Sequence, residues 1–435
     1  MSTHSRSTIF VSFLIVPLFF SGSILAAFSP CKPKAPAPVT LEFWSVFDDS
    51  DTYAPLIAAF QQQYPYITVN YHKKNIVSYE QELLDALAAG RGPDIFSINN
   101  AWLARYLDKL TPAPESIISL QDFRAALADV AEQDFVLDGK IYALPFSVDT
   151  LALYYNKDLL NSAGVALLPT TWDNFNAAVQ ALVKKNEQGE ILRAGTALGT
   201  SQNVNRSTDI LAVLMLQSGA VMVSPDKTKA TFSDAINLGQ ENFLPASRAL
   251  AFYTNFANPA KKVYTWNSSQ HYSLDAFAQN EAAMMLSYAY QIPVLRAKAP
   301  HLNFGVAPLP QISQNGLAIS YANYWGQAVA KSSANSAAAW QFIAWLNQPE
   351  NSRQYLQVTN KPASRRDLLD EQKNDPQLAV FARQALSARS WWQADNAAIE
   401  KIFARMIDSA LSSPSLVDSI VKDAETQVSG LMRKE

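Results

Sequence analysis

The chain has 435 residues, 49% of them apolar and 17% charged, with a formal net charge of -3. That balance excludes a disordered chain and leaves no basic field to hold nucleic acid, while the length exceeds one compact core and implies two or three domains or two large lobes. A single cysteine, Cys31, excludes an intrachain disulfide, and with His4, His72, His271 and His301 scattered no clustered metal site is expected.

Residues 9–28 are uncharged, with Arg6 upstream and the small-residue stretch Leu25-Ala26-Ala27 near the end. A positive start, an apolar middle and small residues at the end form an export signal. The run is also long enough for an uncleaved span. Cys31 follows where bacterial lipoproteins carry their lipidated cysteine, although Phe28-Ser29-Pro30-Cys31 departs from the usual Leu-Ala-Gly-Cys. Lipidation at Cys31, a retained anchor and simple secretion all place the folded part outside the cytoplasm. The Lys/Pro/Ala stretch up to Pro38 then reads as a stiff tether, so residues 1–38 form a signal or anchor segment plus linker.

From Val39 the pattern alternates strand and helix. Val39 to Phe47 is an apolar run that fits a buried strand and a loop. Tyr53, Leu56, Ile57, Phe60 and Tyr64 line one helix face, which Pro65 ends. Ile67 to Tyr71 alternates as a strand, Tyr79 to Ala89 is helical, and Asp94 to Ile98 is a third strand. This is the grammar of a parallel α/β sheet. Further on, Leu151 to Tyr155 reads as a strand, and Thr171 as the N-cap of a helix with Asp173 in its first turn. Asn303 to Ala307 and Gly326 to Ala330 are later strands, and Ala337 to Leu346 is a buried helix. Ile399, Ile402, Phe403, Met406, Ile407 and Ala410 recur at helical spacing, and the last 20 residues form one more amphipathic helix.

Several stretches, taken in order, resemble the family 1 extracellular solute-binding proteins, the maltose-binding-like group. Ala86-Leu87-Ala88-Ala89-Gly90-Arg91-Gly92-Pro93-Asp94-Ile95 is similar to the family's Gly…Pro-Asp block. Asp138-Gly139-Lys140-Ile141-Tyr142-Ala143-Leu144-Pro145 and Leu153-Tyr154-Tyr155-Asn156-Lys157-Asp158 resemble two more. Leu168-Pro169-Thr170-Thr171-Trp172-Asp173, Phe277 to Met285 and Phe304 to Pro310 complete the series, with Asn280 where the family has glycine. Each block alone is weak; six or seven in order carry the resemblance. Each also has a structural reading, as turn, chain break or core.

The resemblance implies an α/β, two-lobed fold of the periplasmic-binding-protein type (type II), with a ligand cleft between the lobes and closure by hinge motion. Lobe one would span 40–149 plus 305–360 and lobe two 150–304 plus 361–435, with crossings near 148–152, 303–308 and 359–363. The ligand would be a small polar solute, a carbohydrate first, delivered to the membrane permease subunits of an ABC importer by a monomer held at the membrane through its N-terminal anchor or lipid. Neither catalysis nor a cofactor is expected.

Cleft residues come from loops at the carboxyl ends of strands. In lobe one this points to Trp44, Asp48 and Asp49, and to Asn99, Asn100 and Trp102. Asp149 stands at the first crossing, where relatives carry an acidic hinge residue. In lobe two, Tyr288 and Tyr290 follow the Ala-Ala-Met block, and Trp391 and Trp392 fall where relatives place a stacking ring; in lobe one's second segment, Tyr324 and Trp325 precede a strand near the cleft. Carboxylates and amides suit sugar hydroxyls, and flat rings suit sugar C–H faces. For Asp49-Ser50-Asp51, a helix N-cap is the structural alternative. Other ligands compatible with the fold are a peptide, a polyamine or a metal chelate. Other roles are a receptor-type sensor and a glycan-active enzyme, although no hydrolase motif is present.

Overall fold

The computed structural model describes Ser12 and residues 37–433 apart from 238, 240 and 241. The signal or anchor segment and Cys31 therefore lie outside the described residues. Among the described residues no helix is long and apolar enough to cross a membrane.

Two separate hydrophobic cores build the unit that starts at Pro38. The first runs from Leu41 to Val148 and resumes from Ala322 to Leu369, with Ala382, Ala385 and Ala388. Its sheet places Ile67–Lys73, Val39–Ser45 and Ile95–Asn99 side by side in parallel register. Helices Ser50–Gln63 and Ile76–Ala88 connect these strands. The strand Trp325–Ala330 then joins Ile95–Asn99 in the antiparallel sense, so the sheet is mixed where the strand–helix alternation implied a parallel one. That strand arrives from the far lobe, and its direction is set by the return crossing rather than by a local helix. Phe43 and Phe60 bury fully against the helix Ser336–Leu346. This explains the helical spacing of apolar residues on both sides.

The second core takes Leu151 to Leu309, then Tyr321, Phe381, Trp391 and the span Ile399 to Val428. Its central sheet holds Ala152–Asn156 between Met284–Ser287 and Phe304–Ala307, both antiparallel. The expected N-cap is present: Asn174 N–H donates to Thr171 Oγ1 at 3.3 Å.

The two cores meet across adjacent crossing segments. Val148 belongs to the first core and Leu151 to the second, so the chain passes between the cores at Asp149–Thr150. The other two crossings lie later than the resemblance placed them. Phe304–Ala307 pairs along Ala152–Asn156, completing the second sheet, and the return runs through Ser320–Asn323, where Thr150 faces Ala322. Ala363, Leu368 and Leu369 stay in the first core because the helix Arg366–Gln372 packs there. The last crossing is near Ala388–Arg389, which pairs with Ser320–Tyr321. Three short segments lying edge to edge make a hinge whose few residues can absorb a rotation of the lobes.

Candidate functional site

Between the lobes lies a cleft enclosing about 930 Å³. Its floor comes from the hinge, and its walls from the carboxyl ends of strands in both sheets, as open α/β sheets arrange their sites. Asp48, Asn99, Trp102, Asp149, Tyr290, Tyr324 and Trp325 all line it. The fold thus brings together residues more than 270 positions apart in sequence (Asp48 to Trp325).

Lobe one supplies an aromatic wall. Trp102 and Trp325 meet edge to face at 5.0 Å, and Phe47 meets Trp325 at 5.6 Å. Trp102 is backed by the buried Tyr106, stacked at 5.4 Å, which fixes the plane of its ring. Trp102 and Trp325 are each half-buried, so an edge or face remains open to the cleft. Phe47 has a backbone φ of 70°, in a region that L residues rarely occupy. The Asp48 N–H donates back to the Val46 carbonyl at 2.8 Å across it, closing a tight, strained turn.

Beside the rings sits a charge pair. Lys361 Nζ donates to Asp48 Oδ1 at 2.5 Å, and the Tyr355 hydroxyl donates to Oδ2 at 2.8 Å. Lys361 had no signal in the sequence, because only the packing of the helix Pro349–Thr359 delivers the following loop to the end of the first strand.

Asp149 is the structural knot of the hinge. Its Oδ1 accepts from the backbone N–H of Thr150 at 2.8 Å and of Ala289 at 2.9 Å, and its Oδ2 from Tyr290 at 3.1 Å. The hinge therefore holds the loop that carries Tyr290 into the cleft. Asn99 extends the connection: its Nδ2 donates to Asn323 Oδ1 at 3.1 Å, and Asn323 reaches Asp209 in lobe two at 3.4 Å.

Lobe two adds Arg206, Asn396 and Glu400, none of which sequence reasoning singled out. Arg206 sits in a left-handed backbone conformation, φ 56°. It pairs bidentately with Asp209 at 2.8 and 2.9 Å and approaches Glu400 at 3.2 Å. Burial would lower the guanidinium, but these carboxylates outweigh it and hold Arg206 well above its usual range.

The remaining expected residues lie elsewhere. Trp44 packs at the outer edge of the first core with Lys74 over its ring at 4.0 Å. Asp49 precedes the helix Ser50–Gln63 without capping it by its side chain, and faces Lys73 at 2.7 Å. Asn100 turns inward and donates to Asp134 at 3.0 Å. Tyr288 is fully buried, its hydroxyl donating to Asp209 at 2.6 Å and its ring stacked under Tyr290 at 5.8 Å. Trp391 is buried against Phe403, whereas Trp392 leans on the first core under the Lys227 ammonium at 4.2 Å. The two tryptophans border a second groove of about 630 Å³ rather than the cleft. They lie next to the last crossing, where successive side chains alternate between cores. Among the described residues no group of three or more His, Cys, Asp or Glu side chains is placed to hold a metal ion.

Two buried carboxyls titrate unusually. Burial pushes Asp149 up to about 7, against its three backbone donors. Burial pushes Asp134 up to about 6, against hydrogen bonds from Ser390, Tyr324 and Asn100. In each case the folded state keeps a proton that the unfolded chain has lost above about pH 4. The resulting stability is present in full below that pH and disappears as pH rises through 6 and 7. The ligand-free protein should therefore melt higher at pH 5 than at pH 8, by the equivalent of about 4 kcal/mol, since each tenfold gain in proton affinity on folding is worth about 1.4 kcal/mol and the two groups together lose about three such steps over that range. Scanning calorimetry checks this; a higher melting temperature at pH 8 would contradict it.

The sequence profile described as bacterial extracellular solute-binding protein matches residues 45–353. The chain belongs to this family. Membership places the folded part outside the cytoplasm. Among relatives, a binding protein of Brucella abortus is 24% identical over 392 residues, covering 86% of this chain and 88% of that one. The maltotriose-binding protein of Pyrococcus abyssi is 26% identical over 316 residues, covering 70% of this chain and 62% of that one. The solved structure of the cyclic alpha-maltosyl-1,6-maltose binding protein from Arthrobacter globiformis superposes with a TM-score of 0.75 at 18% identity, over 91% of this chain and 99% of that one. The two-lobed fold with its cleft is thus the solute-binding architecture of the family.

Proposed function

We propose that this solute-binding protein captures a neutral carbohydrate in the cleft, closes over it by rotation about the three-segment hinge, and presents it to the membrane subunits of an ABC importer. One observation carries the reading. The charged groups at the cleft are already paired within the protein, Lys361 with Asp48 and Arg206 with Asp209 and Glu400. Asp149 is occupied by three backbone N–H groups. A charged solute would have to break one of these pairs, whereas a polyhydroxylated neutral one can add hydrogen bonds to them. The aromatic wall then offers stacking faces for sugar C–H groups. The maltotriose and cyclic maltosyl-maltose ligands of two relatives are neutral oligosaccharides, which supports the same class. Asp48, Asn99, Trp102, Asp149, Tyr290, Tyr324 and Trp325 are the proposed contacts, with Arg206, Asn323 and Lys361 added. The protein acts as a monomer, tethered to the outer face of the membrane through residues 1–38, and returns its ligand chemically unchanged.

A thermal-shift screen tests the reading, with mono-, di- and oligosaccharides set against amino acids, peptides and polyamines. A ligand at 100 times its dissociation constant stabilises the fold by about 2.7 kcal/mol. A shift confined to sugars is expected; a shift from charged solutes alone would overturn the carbohydrate assignment while leaving the family intact.

A further inference from the structure

The cleft is not uniformly built for hydroxyl groups. Sixteen large apolar side chains are exposed among the described residues, and five of them line this one cavity. Phe47 is 51% exposed, Ile76 44% and Val358 61% on lobe one; Tyr290 is 47% and Val294 43% exposed on lobe two. Three of the five are β-branched aliphatics. An aromatic ring can stack on a sugar face, but an isoleucine or valine offers neither a flat π-face nor a hydrogen bond. These three stand at helix positions where any polar residue would serve the fold. Ile76 opens the helix Ile76–Ala88, Val358 sits in the last turn of Pro349–Thr359, and Val294 lies on Gln291–Lys298. The strained turn at Phe47 spends conformational energy to hold a phenyl ring half in solvent in the same cleft, against Trp325. Apolar groups clustered at a recognition cleft mark a surface meant to be covered. The cavity of about 930 Å³ is at the upper end for a small-ligand site, larger than one sugar ring requires.

We infer that the exposed apolar side chains of the cleft, Phe47, Ile76 and Val358 on lobe one and Val294 on the facing lobe, make a subsite for an apolar substituent when the lobes close. The ligand it fits is an amphiphilic glycoside, a sugar carrying an alkyl or aryl aglycone, rather than a free sugar. This rests on the carbohydrate reading above and specifies its ligand. The paired polar groups and the tryptophans hold the glycone, and the apolar side chains and the aglycone release their hydration water to bulk as they meet.

Isothermal titration with maltose, glucose and galactose, each against its p-nitrophenyl glycoside and its octyl glycoside below the micellar concentration, tests the subsite. At least one glycoside should bind tenfold or more tighter than its parent sugar, which is about 1.4 kcal/mol. The paired change Val294→Asp and Val358→Asp should bring that ratio close to one, and the near-isosteric Val294→Thr with Val358→Thr should reduce it with the fold's melting temperature held. Equal affinities for parent and glycoside would overturn the subsite and leave the sugar reading standing; the valines would then be lobe-closing contacts. A preference that survives both double variants would also overturn it. Binding of charged solutes with silence from every sugar and glycoside would remove both readings together.

Discussion

Asp149→Ala is expected to lower stability by about 2–4 kcal/mol and to weaken binding of any sugar that stabilises the wild type by more than tenfold. The substitution removes one acceptor group but strands three donors, the N–H groups of Thr150, Ala289 and Tyr290. Each buried donor left without a partner costs about 1–3 kcal/mol, and water entering from the cleft recovers part of it. The binding loss has a separate cause. Asp149 is the side chain of the first crossing that grips the Tyr290 loop, so without it lobe two's wall is no longer held in register with the hinge. Asp149→Asn separates charge from geometry. Its oxygen can still accept from Thr150 and Ala289, while its amide would face the Tyr290 N–H, so an intermediate effect is expected. Urea denaturation and calorimetric titration read the two quantities. Wild-type stability together with wild-type affinity in Asp149→Ala would mean that the carboxylate ties nothing together.

The second large effect belongs to the aromatic wall. Trp325→Ala should reduce sugar affinity by about 1–3 kcal/mol, the range found when a stacking ring is removed from under a planar partner. Trp325 is held edge-on by Trp102 at 5.0 Å and by Phe47 at 5.6 Å, so its removal also frees both neighbours. Trp392→Ala provides the contrast. That ring leans on the first core beneath Lys227 and faces the second groove, so its loss should act on stability far more than on affinity. Equal affinity losses in the two variants would imply that the rings act through lobe packing rather than through stacking. Intrinsic fluorescence offers an independent readout, because ligand closing over Trp102 and Trp325 should change their emission, and Trp325→Ala should diminish that change.

The alternating order of strands and helices, the N-cap at Thr171 and the family were all legible in the chain itself. These are local properties. Apolar periodicity, turn residues and short ordered blocks are all written within a few residues of one another, and each constrains its own backbone directly. The direction of the strand Trp325–Ala330, the place of the second and third crossings, and the choice of candidates that share the cleft came from long-range packing alone. A block such as Phe304 to Pro310 marks an element but not its sheet partner, and pairing along Ala152–Asn156 kept it in lobe two. Neighbours in sequence also diverge in space. Asn99 faces the cleft while Asn100 turns to Asp134, and Tyr290 lines the cleft while Tyr288 is buried against Asp209. Asn99 and Asn100 part because successive side chains alternate at the end of a strand, whereas Tyr288 and Tyr290, two apart, part because the chain leaves its strand at Ser287 and turns; no local signal says which side chain meets the ligand and which the core. Arg206, Lys361 and Glu400 show the same limit from the other side. They are ordinary charged residues in sequence, and they became site residues only because separate helices and loops converged on one cleft.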